Sequence, residues 1–342
     1  MPYVAEPLTR VTDRAAGAQT EKWLTASDRT QGPWAQPGRS DTISTMPRPG
    51  KTSEKATRDA RPSSMRVSDL LRLPAGPVDL SSMSTRDTPG FEGSKQEGKA
   101  AIELLGPRLA DLQERLYAEG KTGGTRSVLL VLQGLDTAGK GGTVRHVVGE
   151  VDPQGVHLTS FKAPTKEELS RDFLWRIKRR LPAPGMLGVF DRSHYEDVVV
   201  ARVRDLVPRQ TWSRRYATIN RFEDKLVAEG TRVVKCFLHI SKEESKQRLL
   251  DRLDKPDKVW KYNPGDLDTR AEWDPLLEAY SDALERCNGD AAPWYVVPAD
   301  RKWYRNWAVM NILAEQLEAM AVTWPVPDFD VAEQRRLLEA SD

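Results

Sequence analysis

The chain has 342 residues, enough for one large α/β domain or two small ones. Its apolar share is 39% and its charged share 30%, a balance that suits a globular body with a polar tail. The net charge of +2 excludes the strong overall field of a nucleic-acid binder, so no nucleic-acid partner is expected and any anion site must arise from local clustering. The two cysteines, Cys236 and Cys287, fall in no CxxC pair and no Cys/His zinc spacing, and read as reduced packing residues. No apolar run approaches the roughly 18 residues of a membrane span. The N-terminus lacks the apolar stretch of a secretory signal. No membrane partner is expected, and a cytoplasmic enzyme is the default.

Residues 1–64 hold Pro, Gly, Ser, Thr and scattered charge without sustained periodicity, and read as a disordered extension of net charge +3. Their functional alternative is a tail that binds a polyanion or a partner. Residues 65–98 are turn-rich and predict an extended lead-in along the body. From Lys99 to Glu119, Ile102, Leu105, Leu109, Leu112 and Leu116 recur at helical spacing, and Gly120 with Gly123-Gly124 ends the run.

Ser127–Gln133 is a continuous apolar run, the mark of a strand buried on both faces. A glycine-rich loop follows, then a helix from Lys140 to about Glu150. A strand is predicted at 156–161, one helix at 166–180 and a short buried strand at 186–190 that ends on Asp191. Helices at 196–206 and 211–229 precede a strand at 233–240 and a helix from Lys242 to about Asp254. Residues 255–270 are polar and broken by Pro and Gly. A helix at 272–287, a strand at 294–297 and a helix at 302–322 complete a domain spanning 99–325, and 326–342 reads as a tail. Strands alternating with helices indicate a parallel sheet with helices on both faces.

Gly134, Gly139 and Lys140 match Gly-x-x-x-x-Gly-Lys between a predicted buried strand and a predicted helix, the context that confirms a phosphate loop. Glycines let successive backbone N–H groups converge on a phosphate, and the helix directs its positive end at the anion. The expected phosphate-binding set is Gly134, Ala138, Gly139, Lys140, Gly141, Gly142 and Thr143. Two positions are irregular. Gly141 replaces the usual hydroxyl ligand of magnesium, and an acid, Asp136, stands inside the loop. An acid among phosphates needs a cation or proton between, so Asp136 reads as a magnesium ligand or an aide to the phosphoryl acceptor. A loop hydrogen bond is its plain alternative.

Asp191 ends a hydrophobic strand, the place from which a phosphate-loop enzyme holds magnesium. Its plain alternative is a cap for the next helix. Arg192 beside it can neutralise phosphate charge. His194 reads as a hydrogen-bonding residue, and Glu196 and Asp197 either begin a helix or face the metal. His194, Glu196 and Asp197 are the nucleotide-side candidates. Arg248, Arg252, Lys255, Lys258 and Lys261 supply the cations of a lid at about 248–272, with Lys162 and Arg176 as further polyphosphate contacts. Trp260, Trp273, Trp294, Trp303 and Trp307 read as packing residues.

Together these motifs resemble one family. Gly134-Leu-Asp-Thr-Ala-Gly-Lys-Gly-Gly142, Asp191-Arg-Ser-His-Tyr-Glu-Asp197 and Lys255-Pro-Asp-Lys-Val-Trp-Lys261 follow the order and spacing of the type 2 polyphosphate kinases. Thr165–Leu169, Phe173–Arg176 and Ala292–Val297 do the same, and the resemblance spans about residues 80–322. It implies a thymidylate-kinase-like P-loop fold with a five-stranded parallel sheet and a helical lid. It also implies magnesium-dependent transfer, with manganese as an alternative, between inorganic polyphosphate and AMP, ADP or ATP. GMP and GDP are further candidates. Asp136, Lys140, Asp191 and Arg192 would be the catalytic set, with Asp136 and Asp191 at the metal. Relatives suggest a homo-oligomer, a dimer or tetramer. Two other readings share the loop and lid: an ATP-dependent nucleotide or nucleoside kinase, and a non-catalytic polyphosphate- or nucleotide-binding protein.

Overall fold

All seven residues of the first strand, β1 (Ser127–Gln133), are buried. Their uninterrupted Val and Leu character suits a strand covered on both faces. The computed structural model describes residues 65–341, so the reading of 1–64 lies outside the described residues. Four more strands join β1: β2 (Val156–Ser160), β3 (Leu187–Asp191), β4 (Thr231–His239) and β5 (Trp294–Pro298). All pairings are parallel, in the order β2-β3-β1-β4-β5. From β1 the chain passes to the edge strand β2, returns to β3 between the two, and then crosses to β4 on the other side of β1. Such a reversal opens a crevice at the carboxyl ends of the strands.

Before the sheet come α1 (Val67–Leu71) and α2 (Lys95–Lys121). α3 (Lys140–His146) follows β1, and α4 (Lys166–Leu169) and α5 (Trp175–Lys178) follow β2. α6 (Glu196–Val203) and α7 (Arg209–Ala228) lie between β3 and β4. α8 (Lys242–Leu253), α9 (Asp266–Ala271) and α10 (Trp273–Arg286) precede β5, and α11 (Lys302–Ala319) and α12 (Val331–Glu339) follow it. The helices flank the sheet in two packed groups. One contains α1, α2, α3 and α11; the other contains α6, α7 and α10.

Three expectations change. The single helix at 166–180 is two short ones, because Asp172 accepts the Leu174 N–H through Oδ1 at 3.1 Å and the Trp175 N–H through its carbonyl at 2.8 Å. Ser and Asp offer the backbone local bonds that compete with a continuous helix. The lead-in is not merely laid on the body: Leu73 N–H donates to Trp294 O at 2.8 Å, and Arg72 bridges Tyr295 at the free side of β5. Leu71, Leu73 and Leu80 are buried there, so the lead-in covers a sheet edge that would otherwise be open. The C-terminal tail contains α12, none of whose residues is buried. Among the described residues no helix is long and apolar enough to cross a membrane.

Candidate active site

The loop after β1 turns by using left-handed backbone at Thr137 (φ 68°) and Gly139 (φ 109°). At Gly139 the requirement is double, since a Cβ there would lie 1.7 Å from Arg305 Nη1. α3 then starts at Lys140, with its first amides facing the crevice. Lys140 Nζ donates back to Gly134 O at 2.6 Å and to Leu135 O at 3.3 Å. Burial lowers its ammonium pKa below 10.5; Arg192 adds to that, and Asp136 and Asp191 oppose it.

β3 runs beside β1 with Asp191 level with Leu132, which brings the strand-end acid to the glycine loop. The next residue, Arg192, sits at φ 64°, a strained value for a side-chain-bearing residue. Its guanidinium donates from Nη2 to Asp136 Oδ1 at 2.7 Å. Burial disfavours the Asp136 carboxylate, but Lys140 and Arg192 outweigh it and hold the pKa below 3.8. Burial likewise works against Arg192, and Glu196 and Asp136 reverse the balance, so it is a firmly held cation.

The crevice has a volume of about 1020 Å³. Of the expected phosphate set, Gly139, Lys140, Gly141 and Gly142 line it, as do Asp136, Asp191 and Arg192. Gly134, Ala138 and Thr143 do not. Gly134 turns its carbonyl to Lys140, and the Ala138 carbonyl receives Arg248 and Arg305 from behind. Thr143 is fully buried and its hydroxyl has no partner. These three residues shape the loop from within.

The lid group also divides. Arg248, Arg252, Lys258 and Lys261 line the crevice; Lys255 does not. Arg252 braces the lid by donating to Lys261 O at 3.2 Å. Arg248 has a further task as a brace under the loop. Its guanidinium donates to Thr137 O, Ala138 O, Ala299 O and Asp300 O at 2.7–3.2 Å and to Glu244 Oε1 at 2.8 Å. Lys162 lines the crevice, while Arg176 is buried beneath it, donating to Lys162 O at 2.9 Å and to Asp197 Oδ2 at 3.2 Å. Arg176 thus positions Lys162, which faces the crevice in its place.

The nucleotide-side candidates lie behind the site. His194 is 1% exposed and pairs through Nε2 with Glu223 Oε1 at 3.1 Å, so it is a core residue and not a nucleotide contact. Asp197 is held by Arg176 and Arg215. Glu196 stands under Arg192, and burial raises its pKa above 4.5 in spite of Arg192 and Lys140. Trp273, Trp294, Trp303 and Trp307 are buried as expected, but Trp260 on the lid is 75% exposed.

Sequence reasoning missed one wall. Lys95 and Lys99 on α2 and Lys302 and Arg305 on α11 face the same crevice. A legible signal existed in both places. Lys95 and Lys99 begin a helix, where cations oppose the dipole. Arg305 interrupts an aromatic run, Trp303-Tyr304-Arg305-Asn306-Trp307, that was plainly core. In all, twelve Lys and Arg but only five Asp and Glu line the crevice.

A family model for Polyphosphate kinase 2 matches residues 92–325. The chain belongs to the polyphosphate kinase 2 family. It is 49% identical over 255 residues to an AMP/ADP-polyphosphate phosphotransferase of Meiothermus ruber, covering 75% of this chain and 94% of that one. An ADP-polyphosphate phosphotransferase of Rhodopseudomonas palustris is 40% identical over 260 residues, with coverages of 72% and 88%. A crystal structure of Polyphosphate Kinase 2 from Arthrobacter aurescens superposes with a TM-score of 0.79 at 51% identity, over 81% of this chain and 98% of that one. The fold is thus that of a P-loop kinase.

Among the described residues no group of three or more His, Cys, Asp or Glu side chains is poised as a metal cage. This polyphosphate kinase 2 member offers instead two carboxylates, Asp136 and Asp191, on one crevice wall. That donor set fits magnesium, which keeps several waters and binds one or two carboxylates together with substrate phosphates.

Proposed function

We propose that the chain transfers the terminal phosphoryl group of inorganic polyphosphate to AMP and ADP, forming ADP and ATP, and catalyses the reverse. The observation that carries this reading is the crevice's excess of cations, drawn from α2, α3, α8, α11, the ends of β2 and β3, and the lid. A chain with about one negative charge per unit needs a cationic track more than a shaped pocket, and a short nucleotide tail does not need a track of this extent.

In the proposed reaction an acceptor phosphate oxygen attacks the terminal phosphorus in line. The new P–O bond forms as the bond to the rest of the polyphosphate breaks, and the shortened chain leaves with those electrons. Loop amides and Lys140 hold the phosphates, and Lys258 and Lys261 close over them. Arg192 neutralises charge on the equatorial oxygens, and Asp136 orients Arg192. Catalysis of this type rests on positioning and charge neutralisation. Magnesium, held by Asp136 and Asp191, would supply further charge neutralisation; manganese is the alternative ion. No phospho-enzyme is invoked.

GMP and GDP are further candidate acceptors, and a dimer or tetramer is the proposed assembly, on the family resemblance alone. The two buried, unpaired cysteines suit a reducing compartment, and the cytoplasm is the proposed one. The deciding experiment incubates the chain with polyphosphate, magnesium and AMP, ADP, GMP or GDP and reads products by chromatography. Nucleotide products dependent on polyphosphate are expected; absence of any product would sink the reading. Product from an ATP donor alone would favour an ATP-dependent kinase.

A further inference from the structure

A second, smaller cavity of about 440 Å³ adjoins the crevice, and the two share Lys95, Lys302 and Trp303 as a common wall. Nothing in the sequence motifs points to it. Its position follows from the close approach of α2 and α11. A Cβ on Gly98 would lie 2.2 Å from the Trp303 ring, so the ring packs directly on the α2 backbone and sets the two helix starts side by side. α2 and α11 are long, and both present N-terminal ends here. Those ends carry partial positive charge.

The charges at the cavity are unequal in availability. Arg86, Lys95, Arg301 and Lys302 line it, are exposed, and form no salt bridge among the described residues. Two acids also line it, Glu244 and Asp300, but both are engaged. Glu244 Oε1 accepts from Arg248 Nε at 2.8 Å. Asp300 accepts the Ser241 N–H at 2.9 Å and the Thr85 hydroxyl at 2.9 Å. Four uncommitted cations, two acids already engaged in hydrogen bonds, and two helix N-termini make a site for an extended anion. Its continuity with the crevice through Lys95 and Lys302 makes that anion an extension of the crevice's own ligand.

We infer that this cavity is a distal subsite for polyphosphate, gripping units well beyond the transferred one and setting a preference for long chains. The inference rests on the donor assignment proposed above. It uses the α2–α11 side of the glycine loop, apart from the lid.

The test compares tripolyphosphate with a long-chain polyphosphate as donor, in wild type and in Arg86→Glu/Arg301→Glu. Both side chains are exposed, so the fold is not at risk. The KM for the long chain should rise about tenfold, as expected for two reversed surface charges, and kcat and KM with tripolyphosphate should stay unchanged. The variant's long-chain KM should also lose part of its dependence on ionic strength. An unchanged long-chain KM overturns the subsite. An equal rise with both donors overturns it too, since it would report a general field. A wild type inert with every polyphosphate would overturn the donor assignment, and the subsite with it. Normal tripolyphosphate turnover with no chain-length effect overturns the subsite alone.

Discussion

Arg192 Nη2 lies 2.7 Å from Asp136 Oδ1, joining the loop after β3 to the loop after β1. The pair explains how an acid is tolerated inside a phosphate loop. It also holds a strained arginine, φ 64°, against the crevice. Asp136→Asn keeps the shape but removes the charge that orients Arg192. Turnover should fall about 10²–10³-fold, the scale for losing one preorganised electrostatic group, with the thermal midpoint nearly unchanged. Steady-state kinetics beside a melting curve measures both, and retained turnover would remove Asp136 from the catalytic set.

Gly139→Ala should disrupt the site by two routes. The left-handed backbone costs on the order of 1–3 kcal/mol for a residue with a Cβ. The methyl group would also collide with the Arg305 guanidinium. A lowered denaturation midpoint and loss of polyphosphate binding by calorimetry are expected.

Arg305 is a buried cation whose side chain donates hydrogen bonds only to the Ala138 carbonyl and the Asn306 amide oxygen among the described residues. Burial, with Arg248 nearby, brings its pKa down to about 9. It stays a cation at neutral pH, so it is available to hold polyphosphate. Arg305→Met removes an uncompensated buried charge. The free variant should therefore be as stable as wild type or more so, while the rise in melting temperature on adding polyphosphate shrinks. A wild-type-sized shift in the variant would exclude a role for Arg305 in anion binding.

Lys235 and Glu223 form a fully buried pair at 2.6 Å that also ties Tyr195 and, through Glu223, His194. Lys235→Met alone strands the carboxylate and should cost about 3–5 kcal/mol. The double variant Lys235→Met/Glu223→Leu should recover most of that loss in denaturant titrations. Equal destabilisation in the single and double variants would contradict the pairing.

Glu196 gives a pH signature. Burial raises its folded pKa above the ordinary 4.5. Folding therefore takes up a proton there, and this contribution to stability is fully present below 4.5 and lost as pH rises through the folded value. Glu196→Gln should abolish that slope and melt higher than wild type at neutral pH. A parallel pH–stability curve for the two proteins would refute the assignment.

The glycine loop, the acid inside it, the strand-end Asp191 and the places of five strands were legible along the chain. Each is written in local chemistry: period, turn residues and charge beside an apolar run. Arg248 shows where local reading stops. Its lid-like setting gave no sign that a fold of α8 against the loop would spend its guanidinium on four carbonyls. His194 was equally opaque, because its partner Glu223 stands 29 residues away on α7. The sequence by itself determined the glycine loop after β1 and the two acids, Asp136 and Asp191, that stand beside it. Only the tertiary structure decided which cations face the crevice. That choice depends on the direction of side chains from α2, α8 and α11, and packing between distant segments sets those directions.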